Sequence, residues 1–215
     1  MSGAEAVIDR LSSHGPYFTL GTGPTERDDW RPASVLLEPG GLDDVVDQTG
    51  RRLGVHEERV AASTFFFGYT ARLWSLGLGS ALDGACLRLD PASLLWRSDQ
   101  GTIHLHCVEP AFGGTLSHEV LHAHLVPLVE ALSLRVAPGL LWGNAASALR
   151  GAARVLRADD TPQVTHLMRD PLLRGRLDHD TGRRRSCCLF YRTPTGGLCG
   201  DCVLPDIPYF VKETP

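Results

Sequence analysis

VHEERVAASTFFFGYTARLWSLGLGSAL, residues 55–82, decides the fold class. Apolar residues recur in it at helical spacing and cover much of the circumference rather than one stripe. Such a helix must be surrounded, so it is expected at the centre of the core; Gly68 and Gly77 weaken only its intrinsic propensity. Other helices are predicted around it. A short amphipathic one covers 3–12. LDDVVDQTGRRLG, from Leu42, has an acidic first turn that suits the helix dipole. LSHEVLHAHLVPLVEALSL repeats Val120, Leu121, Leu125, Leu128, Val129 and Leu132 at threes and fours. Another helix starts after Pro138 and runs through LLWGNAASALRGAARVLRA, and one more covers 162–174. CLRLD, SLLWR and TIHLHCV read as short strands, the last two flanking the turn SDQG. Residues 13–40 hold Pro16, Pro24, Pro32 and Pro39 and read as extended loop. The expected fold is α+β: a mainly helical domain with a small antiparallel sheet over 1–180, then a cysteine-bearing C-terminal segment over 181–215.

The 215 residues suit one domain with a small appendage. A hydrophobic fraction of 43% and a charged fraction of 21% are ordinary for a soluble protein, and a net charge of −4 gives no global pull toward nucleic acid or anionic membrane. The basic residues are arginines apart from Lys212. The N-terminal MSGAEAVIDRL has no basic region followed by an apolar run and does not read as a signal peptide. No stretch reaches the roughly 18 uncharged apolar residues of a membrane span. These features place the chain in the cytoplasm, where thiols stay reduced and a cysteine cluster points to metal rather than to disulfides.

Such a cluster exists. RRRSCCLFYRTPTGGLCGDC, residues 183–202, holds four of the six cysteines: Cys187, Cys188, ten residues, Cys199, two residues, Cys202. CGDC lets two thiolates reach one small site from a tight turn, and Gly196, Gly197 and Gly200 let the backbone fold closely around it. The adjacent pair is unusual. In an extended chain its side chains diverge, so both reach one site only if the backbone kinks or the site presents two metals. Structural zinc on four thiolates, a redox dithiol at CGDC and an iron–sulfur cluster all stay open on these grounds, with the cluster preferred.

SCCLFYR and GGLCGDCVL, spaced CC-x10-C-x2-C, resemble the C-terminal signature of the FhuF-like ferric-siderophore reductases. FFFGYTARLWSLGLGSAL and LLWGNAASAL are similar, more loosely, to that family's N-terminal domain. The resemblance implies a [2Fe-2S] cluster held by Cys187, Cys188, Cys199 and Cys202. It implies an oxidoreductase that transfers one electron to siderophore-bound ferric iron and releases ferrous iron for assimilation. It further implies a ferric siderophore of hydroxamate type as substrate and a ferredoxin or reductase as electron donor. Arg183, Arg184, Arg185 and Arg192 beside the cysteines would form a basic rim that docks donor or substrate. A siderophore-binding or scaffold protein with structural zinc in the four-cysteine motif is the alternative.

HEVLH, residues 118–122, formally matches H-E-x-x-H, in which two histidines bind zinc and the glutamate activates water. Only three positions define that pattern, so the expected role of His118, His122 and His124 is at the edge of a packed helix. His104 and His106 alternate on a predicted strand and would face one side. Trp74, Trp96 and Trp142 are expected in the core, Asn144 in a structural role, and Cys86 and Cys107 as buried thiols.

Overall fold

The computed structural model describes residues 3–208; the end of the expected C-terminal segment, 209–215, lies outside the described residues. In chain order the main elements are α1 (Gly3–Ser12), β1 (Gly21–Thr22), β2 (Arg31–Pro32), α2 (Asp43–Leu53) and α3 (Glu58–Leu82). Then follow β3 (Leu95–Asp99), β4 (Thr102–Cys107), a π-helical stretch (Ser117–Leu125), α4 (Val126–Leu132), α5 (Pro138–Val155) and α6 (Pro162–Met168).

α3 is the central element, as its all-round apolar pattern demands. Phe66, Tyr69, Leu73 and Trp74 are fully buried. Burying each such side chain is worth roughly 1.5–3 kcal/mol, so this helix supplies much of the core energy. It packs mainly on α5 and α2. The inner face of α5 is built from Ala145, Ala148, Ala152 and their neighbours, all buried, and these small side chains let the two helices approach closely. Trp96 and Trp142 join Trp74 in the core.

The expected fold class holds, with one change to the sheet. Its order is β1-β4-β3-β2, and β1 runs parallel to β4, so the sheet is mixed. Only strands joined by a tight turn must be antiparallel. β3 and β4 are such a pair, turning at Gln100 and Gly101, both left-handed. β1 and β2 come instead from the proline-rich 13–40 region, which adds a short strand to each sheet edge; Pro32 is tolerated because an edge strand can spare a donor.

Three other expectations change. CLRLD makes one bridge, Leu87 to Phe112, instead of a strand, because the backbone N–H of Leu89 is taken by the carboxylate of Glu119 at 2.8 Å. The helix expected over 162–174 stops at Met168, because Asp170 precedes Pro171 and is held out of the helical region. The helix containing HEVLH opens as a π-helix and becomes α-helical only from Val126.

Candidate metal centre

After α6 the chain folds back on itself. Asp178 N–H donates to the Arg183 carbonyl at 2.7 Å, and Arg185 N–H donates to the Arg176 carbonyl at 2.9 Å. This return carries residues 186–188 against α5 and α3. Ser186 sits over Gly143, where a side chain on α5 would collide with its hydroxyl. Ser63 of α3 donates its hydroxyl to the Cys188 carbonyl at 2.7 Å. The kink that an adjacent cysteine pair requires follows at once: Leu189 adopts φ 68, a left-handed conformation that costs a non-glycine residue about 1–2 kcal/mol. Gly196 then passes so close to the Phe190 carbonyl that any side chain there would overlap it, whereas Gly197 and Gly200 meet nothing. Cys202 N–H donates to the Cys199 carbonyl at 3.0 Å and closes the CGDC turn.

The loop thereby brings together four thiols separated by up to fifteen positions. Cys188 and Cys202 are buried, Cys187 and Cys199 half-buried, and all four are free thiols. The Cys188 and Cys199 sulfurs lie 3.6 Å apart. That is too far for a disulfide at about 2.05 Å, and close to the roughly 3.8 Å expected for two thiolates on one tetrahedral metal with metal–sulfur bonds of about 2.3 Å. Backbone N–H groups point at sulfur: Leu189 to Cys187 at 3.3 Å and Leu204 to Cys202 at 3.4 Å. Hydrogen bonds from Cys187 and Cys199, aided by a Phe190 N–H and the Arg184 charge, pull the Cys188 thiol well below the ordinary thiol range. Cys187 and Cys199 are pushed up, first because each shares its proton with Cys188 and then by burial. The donors thus form a chain of contacts around one thiolate, the protonation state that binds metal. Among the described residues no three His, Cys, Asp or Glu side chains surround a single point as ligands of one ion. The four sulfurs are the donors that could hold a [2Fe-2S] cluster.

An ion pair between a buried arginine and a half-buried carboxylate ties this loop to the core. Arg184 is 3% exposed; its Nε donates to both carboxylate oxygens of Asp201 at 3.0 Å, and a terminal nitrogen donates to the Asn144 side-chain oxygen. Asn144 in turn donates to the Ser63 hydroxyl at 3.0 Å, and Ser147 donates to Asp201. The guanidinium lies over the Phe67 ring at 4.9 Å. Asp201 stands between Cys199 and Cys202, so the pair holds one half of the cysteine motif to α3 and α5. Sequence reasoning missed Asp201, Ser63 and Ser147. The available signal was a carboxylate inside a C-x-x-C, which needs a cation partner once the thiols are buried.

The other arginines of the expected rim are arranged differently. Arg192 pairs with Glu57 at 2.6 Å and holds that carboxyl below its usual range, fastening the loop to the start of α3. Arg185 lies 3.6 Å from Asp178. Arg183 is exposed.

Cys188 and Cys199 also line a cleft of about 880 Å3. Its walls come from α3, with Phe67, Gly68 and Ala71, and from α5, with Ala148 and Gly151. The β3–β4 turn and the loop after α1 complete it.

The histidines do not join this centre. His118 and His122 are exposed, while Glu119 is buried and occupied by Leu89. His124 is fully buried, accepting from the Tyr69 hydroxyl at 3.0 Å and donating to the Leu89 carbonyl. Burial lowers its pKa to about 4, so it is neutral, and burial raises that of Tyr69. His106 bonds the Gly23 carbonyl at 2.8 Å and packs on Trp30. Burial, and then Arg97, lower the pKa of half-buried His104. Cys107 is buried and Cys86 half-buried; burial pushes the Cys86 thiol up to about 11.

Among the described residues no helix is long and apolar enough to cross a membrane. No curated protein matches the chain. Residues 184–204 match the family described as FhuF 2Fe-2S C-terminal domain, which runs from the buried arginine through all four cysteines and indicates a [2Fe-2S] cluster there. That match, over this C-terminal stretch, supports a likeness to an FhuF-like family with a C-terminal 2Fe-2S motif.

Proposed function

We propose that the chain is a ferric-siderophore reductase that delivers one electron to siderophore-bound ferric iron and releases it as ferrous iron. One observation carries the reading: two of the four thiols, Cys188 and Cys199, belong both to the donor set and to the wall of a cleft. A siderophore holds ferric iron through hard oxygen donors, and ferrous iron binds them far more weakly, so no covalent bond of the siderophore need break. A bound [2Fe-2S] cluster supplies one-electron chemistry over a potential range of about −700 to +450 mV for the class. Cys187, Cys188, Cys199 and Cys202 are its ligands in this reading, and residues 181–215 act as the cluster-binding segment on a helical body over 1–180. Arg184 offsets the negative charge of four thiolates from a buried position. The Leu189 and Leu204 N–H groups offset it at individual sulfurs. Arg183 and Arg185 face outward, where an acidic ferredoxin or reductase could dock. The site of action in this reading is the cytoplasm.

The test is metal and sulfide analysis of protein purified without oxygen, with visible spectra before and after dithionite, followed by reduction of a ferric siderophore under a ferrous trap. About two irons and two sulfides per chain, bleaching on reduction and trapped ferrous iron are expected. One zinc and no sulfide, even after reconstitution with iron and sulfide, would overturn the redox reading in favour of a zinc-stabilised binding protein.

A further inference from the structure

The cleft beside Cys188 and Cys199 is asymmetric in charge. Four arginines line it, Arg52, Arg150, Arg154 and Arg184, against one carboxylate, Asp201. Arg184 is already paired with Asp201. The other three have no carboxylate in the lining. Arg150 comes within 3.5 Å of Asp159, outside the cleft, and its Nε is buried without a hydrogen-bond partner among the described residues. Arg52 and Arg154 form no ion pair among the described residues, and the Arg52 side chain lies across Gly101 at the cleft edge.

The placement of the α5 pair is informative. Arg150 and Arg154 are one helical turn apart and share a face. Both guanidinium groups come within 3.6 Å of the point where a side chain on Gly182 would begin. Two guanidinium groups held side by side repel each other unless an anion sits between them, and their planar forks suit carboxylate or phenolate oxygen. Gly68, Ala71, Ala148 and Gly151 also line the cleft and leave room in it, together with the aromatic ring of Phe67. A volume of about 880 Å3 is within the range of clefts that take small molecules.

We infer that this cleft selects ferric chelates of net negative charge, with anionic oxygens of the chelate facing Arg52, Arg150 and Arg154. The inference rests on the reductase reading and narrows it. Catecholate complexes and hydroxamates that carry carboxylates qualify, whereas a cationic hydroxamate complex does not. The arginines also answer a physical problem. Cluster-bound thiolates, two of which line the cleft, make that part of its wall negative, so an anionic chelate reaches it only if cations elsewhere in the cleft offset the repulsion.

Gallium(III) complexes separate binding from reduction, because gallium(III) resembles ferric iron in size and charge and accepts no electron here. Calorimetry on the full chain should show the trianionic gallium tris-catecholate binding about tenfold or more tighter than a gallium trihydroxamate with a terminal ammonium, the order expected for two or three partly exposed charge contacts. The gap should shrink in molar salt and close in the double variant R150E/R154E. R154Q, a milder change on an exposed side chain, should narrow it without altering the circular dichroism. Equal affinities, a preference for the cationic complex, or no binding of either overturns the inference. Reduction of ferric chelates regardless of their charge, with no gallium preference, sinks the inference and leaves the reductase reading standing. A charge-selective cleft on a cluster-loaded chain that reduces no chelate leaves the inference and sinks the reading.

Discussion

Residues 118–124 and residues 187–202 both gather metal-binding side chains in a short length of chain, and the fold uses them in opposite ways. In the first, Glu119 and His124 turn inward and are consumed by the backbone of Leu89 and the hydroxyl of Tyr69, while His118 and His122 stay on the surface. In the second, Cys188 and Cys199 face each other at 3.6 Å with Cys187 and Cys202 on the same loop, and strain at Leu189 is tolerated there. The lesson concerns partners. A donor already satisfied by the core cannot also hold a metal, and a buried donor whose neighbours are other donors is in place to hold one.

Removing donors tests that contrast most severely. Cys188→Ala or Cys199→Ala should abolish iron and sulfide retention, whereas His118→Ala and His122→Ala should keep both, as elemental analysis of anaerobically purified protein would show. Iron retained by the cysteine variants and lost from the histidine variants would reverse the contrast. Next in size is Arg184→Gln. It leaves the half-buried Asp201 carboxylate without its cation and should lower stability by up to about 3 kcal/mol in urea unfolding, the low end of the cost for a buried pair. The loss of positive charge should also lower the cluster potential, by on the order of tens of millivolts, while Arg184→Lys keeps most of the potential. An unchanged potential in the glutamine variant would reduce Arg184 to a structural tie.

Glu119→Ala strands the buried N–H of Leu89 and should cost about 1–3 kcal/mol with no loss of iron. His124 predicts a pH effect. Its folded pKa, about 4, lies below the ordinary 6.5, so between those values the unfolded chain binds a proton that the folded chain refuses. Stability therefore falls as pH drops through that window, by roughly 1 kcal/mol from neutrality to about pH 5.5, and flattens below the folded pKa. A His124→Gln variant should lose this component in urea midpoints measured across the window. Arg192→Ala should be mildest, below about 1 kcal/mol, because its pair with Glu57 is partly exposed. A larger loss would mean that the anchor to the start of α3 organises the cysteine loop.

The sequence alone determined the features that local periodicity and spacing encode. The central helix over 55–82, the strands flanking SDQG and the four-cysteine spacing were all legible, because each is written in neighbouring residues. Tertiary structure decided what depends on distant partners. The edge strands of the sheet were hidden in a proline-rich stretch, since a two-residue strand exists only by virtue of the strand it joins. The fate of HEVLH turned on Leu89 and Tyr69, and that of Arg184 on Asp201 and Asn144, partners 17 and 40 positions away. The cleft has no signature in the chain at all. Its arginines come from α2, α5 and the C-terminal loop, its thiols from that same loop, and its room from small residues on two helices. These meet only because α3 must be covered on every side, and the elements that cover it leave a gap beside the cysteines.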